Sequence, residues 1–160
     1  MIPKAEASRR LRAVEDERAI VRLLHRYCHT ADDGDDFGAI FAADAVFDVR
    51  MSDGRLIHAY DGRAAIQAYM DGRDIPPDRF DKHLVSAPVV DLDGDAAAAE
   101  SYFVILQSNA EHVAVSYGRY HDRLVKTDRG WRLAERTIEA EAVHSPQVLA
   151  EVAANELGNN

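Results

Sequence analysis

The sequence predicts an α+β fold, a long curved antiparallel or mixed sheet closed on its concave side by three helices from the N-terminal half. Two observations carry this. The three stretches read as these helices, with apolar residues at helical period, all lie at or before Met70, whereas beyond Pro76-Pro77 the period is two as far as Val143. The later runs are joined by connections of three or four residues, which make neighbouring strands antiparallel. Strands of this length curl, and the helices then turn the sheet into a cone with an interior pocket.

Residues 8–33 read as the first helix, because Ile20, Leu23, Leu24, Tyr27, Cys28 and Ala31 form one continuous stripe. Glu15, Asp16, Glu17, Arg18, Arg22 and Arg26 fill the solvated face, and Gly34 ends the helix. Asp36 is placed to cap a short second helix carrying Phe37, Ile40 and Phe41, and Asp44 to start the turn into the first strand. Strands at 45–51 and 56–60 flank Ser52-Asp53-Gly54-Arg55, a hairpin signal. Asp61-Gly62 opens a third helix with Ala64, Ala65, Ile66, Tyr69 and Met70, ended by Gly72 and the two prolines. Strands follow at 82–90, 95–107, 111–126 and 131–143, separated by turn-forming residues. Ser145-Pro146 begins a last helix with Val148, Leu149, Val152 and Ala153. The expectation is one domain, with its core at about 15–143 and a C-terminal helix and tail at 145–160.

Composition narrows the classes of function. Among 160 residues, 28 Asp and Glu stand against 19 Lys and Arg, a net charge of −9, which argues against a nucleic-acid partner. The single Cys28 excludes an internal disulfide and a structural zinc site, and the expected compartment is the reducing cytoplasm. The N-terminal segment is charged and no run approaches about 18 apolar residues, so neither export nor membrane association is expected. The strand at 95–107 is apolar on both faces: Ala97, Ala99, Phe103 and Ile105 on one, Ala98, Tyr102, Val104 and Leu106 on the other. One face fills the cone and the other needs cover, which predicts a homodimer or homotrimer.

The candidate chemistry sits on the predicted inner surface. His83 shares strand parity with Val85, Ala87 and Val89, an apolar and therefore inward set, and a neutral imidazole in a partly dry pocket suits a general base. His25 and His29 have metal-ligand spacing on one helix face but no further clustered ligands, so they are read as a surface pair and no metal is expected. There is no G-x-S-x-G, G-x-G-x-x-G or P-loop, and Cys28 lies on the buried stripe; no nucleophile and no cofactor are expected. On the last strand Trp131, Leu133, Glu135 and Thr137 share one face, and Arg132, Ala134 and Arg136 the other. Glu135, if inward, is a pocket carboxylate, and a bulge would exchange the two faces.

The run Arg26-Tyr27-Cys28-His29-Thr30-Ala31-Asp32-Asp33-Gly34-Asp35, followed by Ile40-Phe41-Ala42-Ala43-Asp44-Ala45, resembles the opening of SnoaL-like proteins of the nuclear transport factor 2-like superfamily. So do Gly62-Arg63-Ala64-Ala65-Ile66, Lys82-His83-Leu84, Gly118-Arg119-Tyr120-His121-Asp122 and Gly130-Trp131-Arg132-Leu133. The resemblance spans roughly residues 15–142. It implies a cone of six strands and three helices, shared by scytalone dehydratase, bile acid 7α-dehydratase, ketosteroid isomerase, polyketide cyclases and non-catalytic dioxygenase subunits.

In the dehydratases of that family a Tyr, an Asp five residues later and a His on the third strand line the pocket, and Tyr27, Asp32 and His83 stand at matching positions. Periodicity alone puts Asp32 at the edge of the helix stripe; the Tyr-x-x-x-x-Asp spacing favours it over Asp33. Tyr27, in the middle of the stripe, reads equally well as a core aromatic. Arg136, where many relatives carry an arginine, and Tyr120, within a shared motif, join Glu135 as candidate substrate contacts. The implied activity is a cofactor-independent lyase or isomerase acting on a small apolar carbonyl compound: polyketide, steroid-like or aromatic. His83 would be its base, Asp32 the partner of His83, and Tyr27 the donor to the substrate oxygen. A cyclase using the same enolate, or a non-catalytic binding subunit of the same fold, are the alternatives.

Overall fold

A computed structural model describes residues 2–34, 36–73, 80–108 and 113–143. The predicted stripe of helix α1 (Lys4–Asp33) is buried at all six positions. The helix begins earlier than its apolar pattern, and its first turns stand exposed, with Glu6 paired to Arg9 and Arg10. Gly34 ends it in the left-handed conformation (φ 80°), its N–H donating to the Thr30 carbonyl at 2.8 Å.

The expected second helix is a single 3₁₀ turn, Phe37–Ile40, so two α-helices rather than three are found among the described residues. Asp36 stands at its N-terminal cap position as expected, but in the left-handed region (φ 53°) and without a capping bond from its side chain. Phe37, Ile40 and Phe41 are all buried, but Phe41 opens strand β1 (Phe41–Met51), which leaves too few residues for an α-helical turn. Strand β2 (Leu56–Asp61) returns antiparallel through the predicted hairpin, with Gly54 at φ 88°. Helix α2 (Arg63–Asp71) follows, burying Ile66 and Met70. The prolines at 76 and 77 and the predicted C-terminal helix lie outside the described residues.

Strands β3 (Phe80–Asp93), β4 (Ala96–Ser108), β5 (Val113–Thr127) and β6 (Gly130–Val143) complete a six-stranded curved sheet in the order β2-β1-β6-β5-β4-β3. All neighbours are antiparallel except β1 and β6, which run parallel and make the sheet mixed. Helix α1 packs mainly on β3 and also reaches β6, while α2 packs on β1, β2 and the 3₁₀ turn. The core between helices and sheet is rich in rings: Phe37 contacts Tyr27 and Phe41 with centroids 5.3 Å away in each case, and Phe103 stacks on Tyr120 at 4.6 Å.

Two bulges correct the predicted faces. In β3 the register slips between Ser86 and Val89, where Ala87 has φ 50° and Pro88 has no N–H to donate. His83 and Val85 therefore point inward as expected, but Val89 is 64% exposed and Val90 and Leu92 take the inner side. In β6 the register slips opposite Arg123 and Leu124, leaving Ala134 unmatched in the β5–β6 ladder. Trp131 and Leu133 remain inward; beyond the slip Arg136 is buried and Glu135 faces out beside Arg123.

Another slip falls between Tyr117 and Gly118. A Cβ at Gly118 would stand 2.0 Å from the carbonyl oxygen of Glu139, a backbone atom of the neighbouring strand. Gly118→Ala is therefore expected to destabilise the protein by about 1–3 kcal/mol, read as a lowered midpoint in urea.

Candidate active site

A cavity of about 660 Å³ opens between the helices and the inner face of the sheet, lined by residues of α1, α2 and all six strands. His83 enters it from β3. Asp32 meets His83 from the last turn of α1, where the helix dipole disfavours a carboxylate, so a partner is required there. Its Oδ1 lies 2.7 Å from His83 Nδ1 and accepts the backbone N–H of His83 at 2.9 Å. Both side chains are 9% exposed. Lys82 Nζ adds a longer contact to Oδ2 at 3.3 Å from an exposed side chain. The ionised carboxylate can only accept, so the Nδ1 proton points at Asp32 and the lone pair of Nε2 is left for a substrate proton.

Burial alone would raise the Asp32 pKa; the hydrogen bonds from the His83 side chain and backbone, with the charges of His83 and Lys82, outweigh it and hold the carboxyl below its ordinary value of 3.8. A carboxyl with a depressed folded pKa contributes stability above its unfolded pKa and loses it as pH falls through the folded one. Asp32→Asn should thus cost stability at pH 7 and progressively less towards pH 3, which urea unfolding of both proteins across that range measures.

Tyr27 lines the same cavity, its ring edge-on to His83 with centroids 6.5 Å apart. Burial pushes its hydroxyl up to about 12 against the opposing charge of Arg136, so it stays protonated and able to donate. Beneath it, Arg136 is fully buried with its Cζ 3.9 Å from the Tyr27 ring centre and 4.2 Å from that of Tyr120. Nε and Nη2 of Arg136 each donate at 2.7 Å to Asp122, both side chains fully enclosed. Burial would lower the Arg136 pKa, but the Asp122 charge and hydrogen bonds more than reverse this.

Of the candidates named from sequence, Tyr27, His83 and Tyr120 line the cavity and Asp32 bonds to His83. Arg136 is not part of the lining; it sits behind the two tyrosines that are. Glu135 points away, about half exposed, on the outer face of β6. His25 and His29 stand exposed on the outer side of α1 with Arg22, Arg26, Thr30 and Asp33. Cys28 is buried, its thiol pKa pushed up by that burial and its Sγ 3.8 Å from the Leu24 carbonyl.

Sequence reasoning missed much of the opposite wall. Tyr60 stacks on Tyr69 with centroids 4.7 Å apart, and His58 lies 5.6 Å from Tyr69. Asp81 and Arg73 line the cavity as well. Asp81 shares parity with His83, and His58 with Tyr60, so both pairs were available from strand period; nothing in the local pattern marks Arg73.

The six-stranded curved mixed sheet with its helices is a cystatin-like α+β fold, and the sequence identifies the family. Residues 12–137 match the SnoaL-like domain model, and the chain belongs to that family. Similar solved structures include a function-unknown protein of Mycobacterium tuberculosis, Rv3472, at 24% identity and TM-score 0.74, covering 89% of each chain. An NTF2-like protein with a cystatin-like fold from Novosphingobium aromaticivorans is 23% identical with TM-score 0.74, covering 94% of this chain and 97% of that one. ActVI-ORFA of Streptomyces coelicolor is 22% identical with TM-score 0.63, covering 78% and 96%. At these identities the likeness is one of fold. No curated protein matches the sequence. Among the described residues no helix is long and apolar enough to cross a membrane.

Proposed function

We propose that the protein is a cofactor-independent lyase or isomerase of the dehydratase type, acting on a small, largely apolar carbonyl compound. The observation that supports this reading is the 2.7 Å contact between Asp32 and His83 at a cavity shared with Tyr27. Nε2 of His83 takes the proton α to the carbonyl, and Asp32 stabilises the imidazolium that forms. The Tyr27 hydroxyl donates to the carbonyl oxygen as negative charge develops on it. The imidazolium then returns its proton, either to a β-hydroxyl that leaves as water or to the γ-carbon of a migrating double bond. A panel of hydroxy ketones and enones, followed by the absorbance of the conjugated product, tests this reading. Conversion above that given by His83→Ala is the expected result. Binding of panel members without conversion would overturn the enzymatic reading in favour of a ligand-binding subunit.

We also propose a homodimer or homotrimer assembled through the outer face of the sheet. Leu84, Val89, Tyr102, Leu106 and Tyr117 are each more than 40% exposed there. Light scattering should give a multiple of 17.8 kDa at micromolar concentration; a single-chain mass throughout that range would refute it.

A further inference from the structure

Arg73 is the sole lysine or arginine among the described residues lining the cavity, and it follows directly on the Gly72 cap of α2. Its Nη2 donates to the Ala31 carbonyl at 2.8 Å, one of the carbonyls the last turn of α1 leaves unsatisfied. Ala31 precedes Asp32, so one short stretch of backbone carries both the partner of the base and the anchor of this guanidinium. The rest of the cation is poorly compensated. Nε is buried with no hydrogen-bond partner, and among the described residues Arg73 forms no ion pair. Among the described residues, the carboxylates at the cavity are engaged elsewhere: Asp32 with His83 and Lys82, and Asp81 with the Gln107 amide at 3.1 Å. A guanidinium held at a cavity wall without a counter-ion is costly, and a carboxylate is the group whose geometry best matches its free donors.

We infer that Arg73 is the anchor for a substrate that carries a carboxylate, and that the stacked Tyr60–Tyr69 pair with His58 receives its flat apolar body. Nη1 and the second hydrogen of Nη2 supply the contacts to the anion. This inference rests on the proposed activity of the same cavity and names its substrate class as an enolisable, ring-containing acid rather than a neutral carbonyl compound. A residue that only capped α1 would be indifferent to the charge of a ligand.

The test compares 2-naphthoate with 2-naphthamide, which share ring, size and planarity but differ in charge, by titration calorimetry at pH 7. The wild-type protein is expected to bind naphthoate about 10-fold tighter or more. Arg73→Met should weaken naphthoate to the level of the amide while leaving the amide unchanged, and Arg73→Lys should retain part of the preference. Equal weakening of both probes in Arg73→Met, equal affinity of both for the wild type, or no binding of naphthoate at millimolar concentration would each overturn the inference. The titration reads binding without turnover. Loss of the charge preference therefore leaves His83 standing as the base, and an inactive panel leaves the preference measurable.

Discussion

Alanine at position 83 is expected to lower kcat by about 10²- to 10⁴-fold, the range that a positioned general base contributes. The His83 imidazole lines the cavity, and its Nδ1 is occupied by Asp32 at 2.7 Å, which leaves Nε2 for the substrate proton. Asp32→Asn should cost about 10²-fold, because an amide can orient the ring but cannot balance the charge of the imidazolium. The two act as a unit, so the double variant should be little slower than the slower single one. Tyr27→Phe should cost about 10- to 10²-fold as one donor to the developing oxyanion is removed. In the wild type kcat/KM should rise with pH to a plateau, since the base works only unprotonated; in His83→Ala that limb should vanish. Near-wild-type turnover in His83→Ala would remove it as the base and leave Asp32 as the next candidate.

Tyr27 and His83 were legible because each sits in a regular element whose phase the apolar residues report: the α1 stripe for Tyr27, and the alternation of His83 with Val85 for the strand. Asp32, at the edge of that stripe, was singled out by its spacing from Tyr27 in the family resemblance and not by periodicity. Phase is lost where a strand carries an extra residue. Past Ala87 and Pro88 the alternation inverts, and with it the placement of Val89; past Ala134 it inverts again, sending Glu135 out and Arg136 in. Ala134 is an ordinary strand residue and marks nothing; in β3 Pro88 is the one signal of a bulge that the sequence carries, since Ala87 reaches a positive φ without being glycine. The 3₁₀ turn was misjudged for a related reason. Phe37, Ile40 and Phe41 have helical spacing, yet Phe41 is held in β1 against Leu133, a partner remote in sequence. Arg73 follows the last turn of α2, and its placement is set by a carbonyl 42 residues away.

Arg136→Met, leaving Asp122 in place, is expected to destabilise the protein by about 3–5 kcal/mol, as loss of one partner strands a buried charge. Asp122 and Arg136 are both fully enclosed and doubly bonded at 2.7 Å, so the remaining carboxylate has no water to turn to. Asp122→Leu combined with Arg136→Met should recover most of that loss, because two apolar side chains of similar volume need no compensation. Urea unfolding of the three proteins reads the difference. If the double variant folds with wild-type stability but turns over slowly, the guanidinium beneath Tyr27 and Tyr120 matters for the set of those rings. A single variant within about 1 kcal/mol of wild type would mean that water or a neighbouring group reaches Asp122.

The parallel pairing of β1 with β6 decides when this protein can exist at all. On a ribosome β1 emerges early and β6 after nearly everything else, yet β6 lies between β1 and β5 in the finished sheet. Until it arrives, the β1–β2 hairpin and the β3–β4–β5 meander are not joined in the sheet, and each keeps an open edge where β6 belongs. The closing step joins β1 and β6, strands far apart in sequence, and carries the entropy of a long loop, so the domain should fold slowly for its size. A nascent chain that stops before Gly130 has no means of uniting the helix that bears Tyr27 with the buried guanidinium that supports it, and what remains is a pair of sticky fragments for chaperones and proteases.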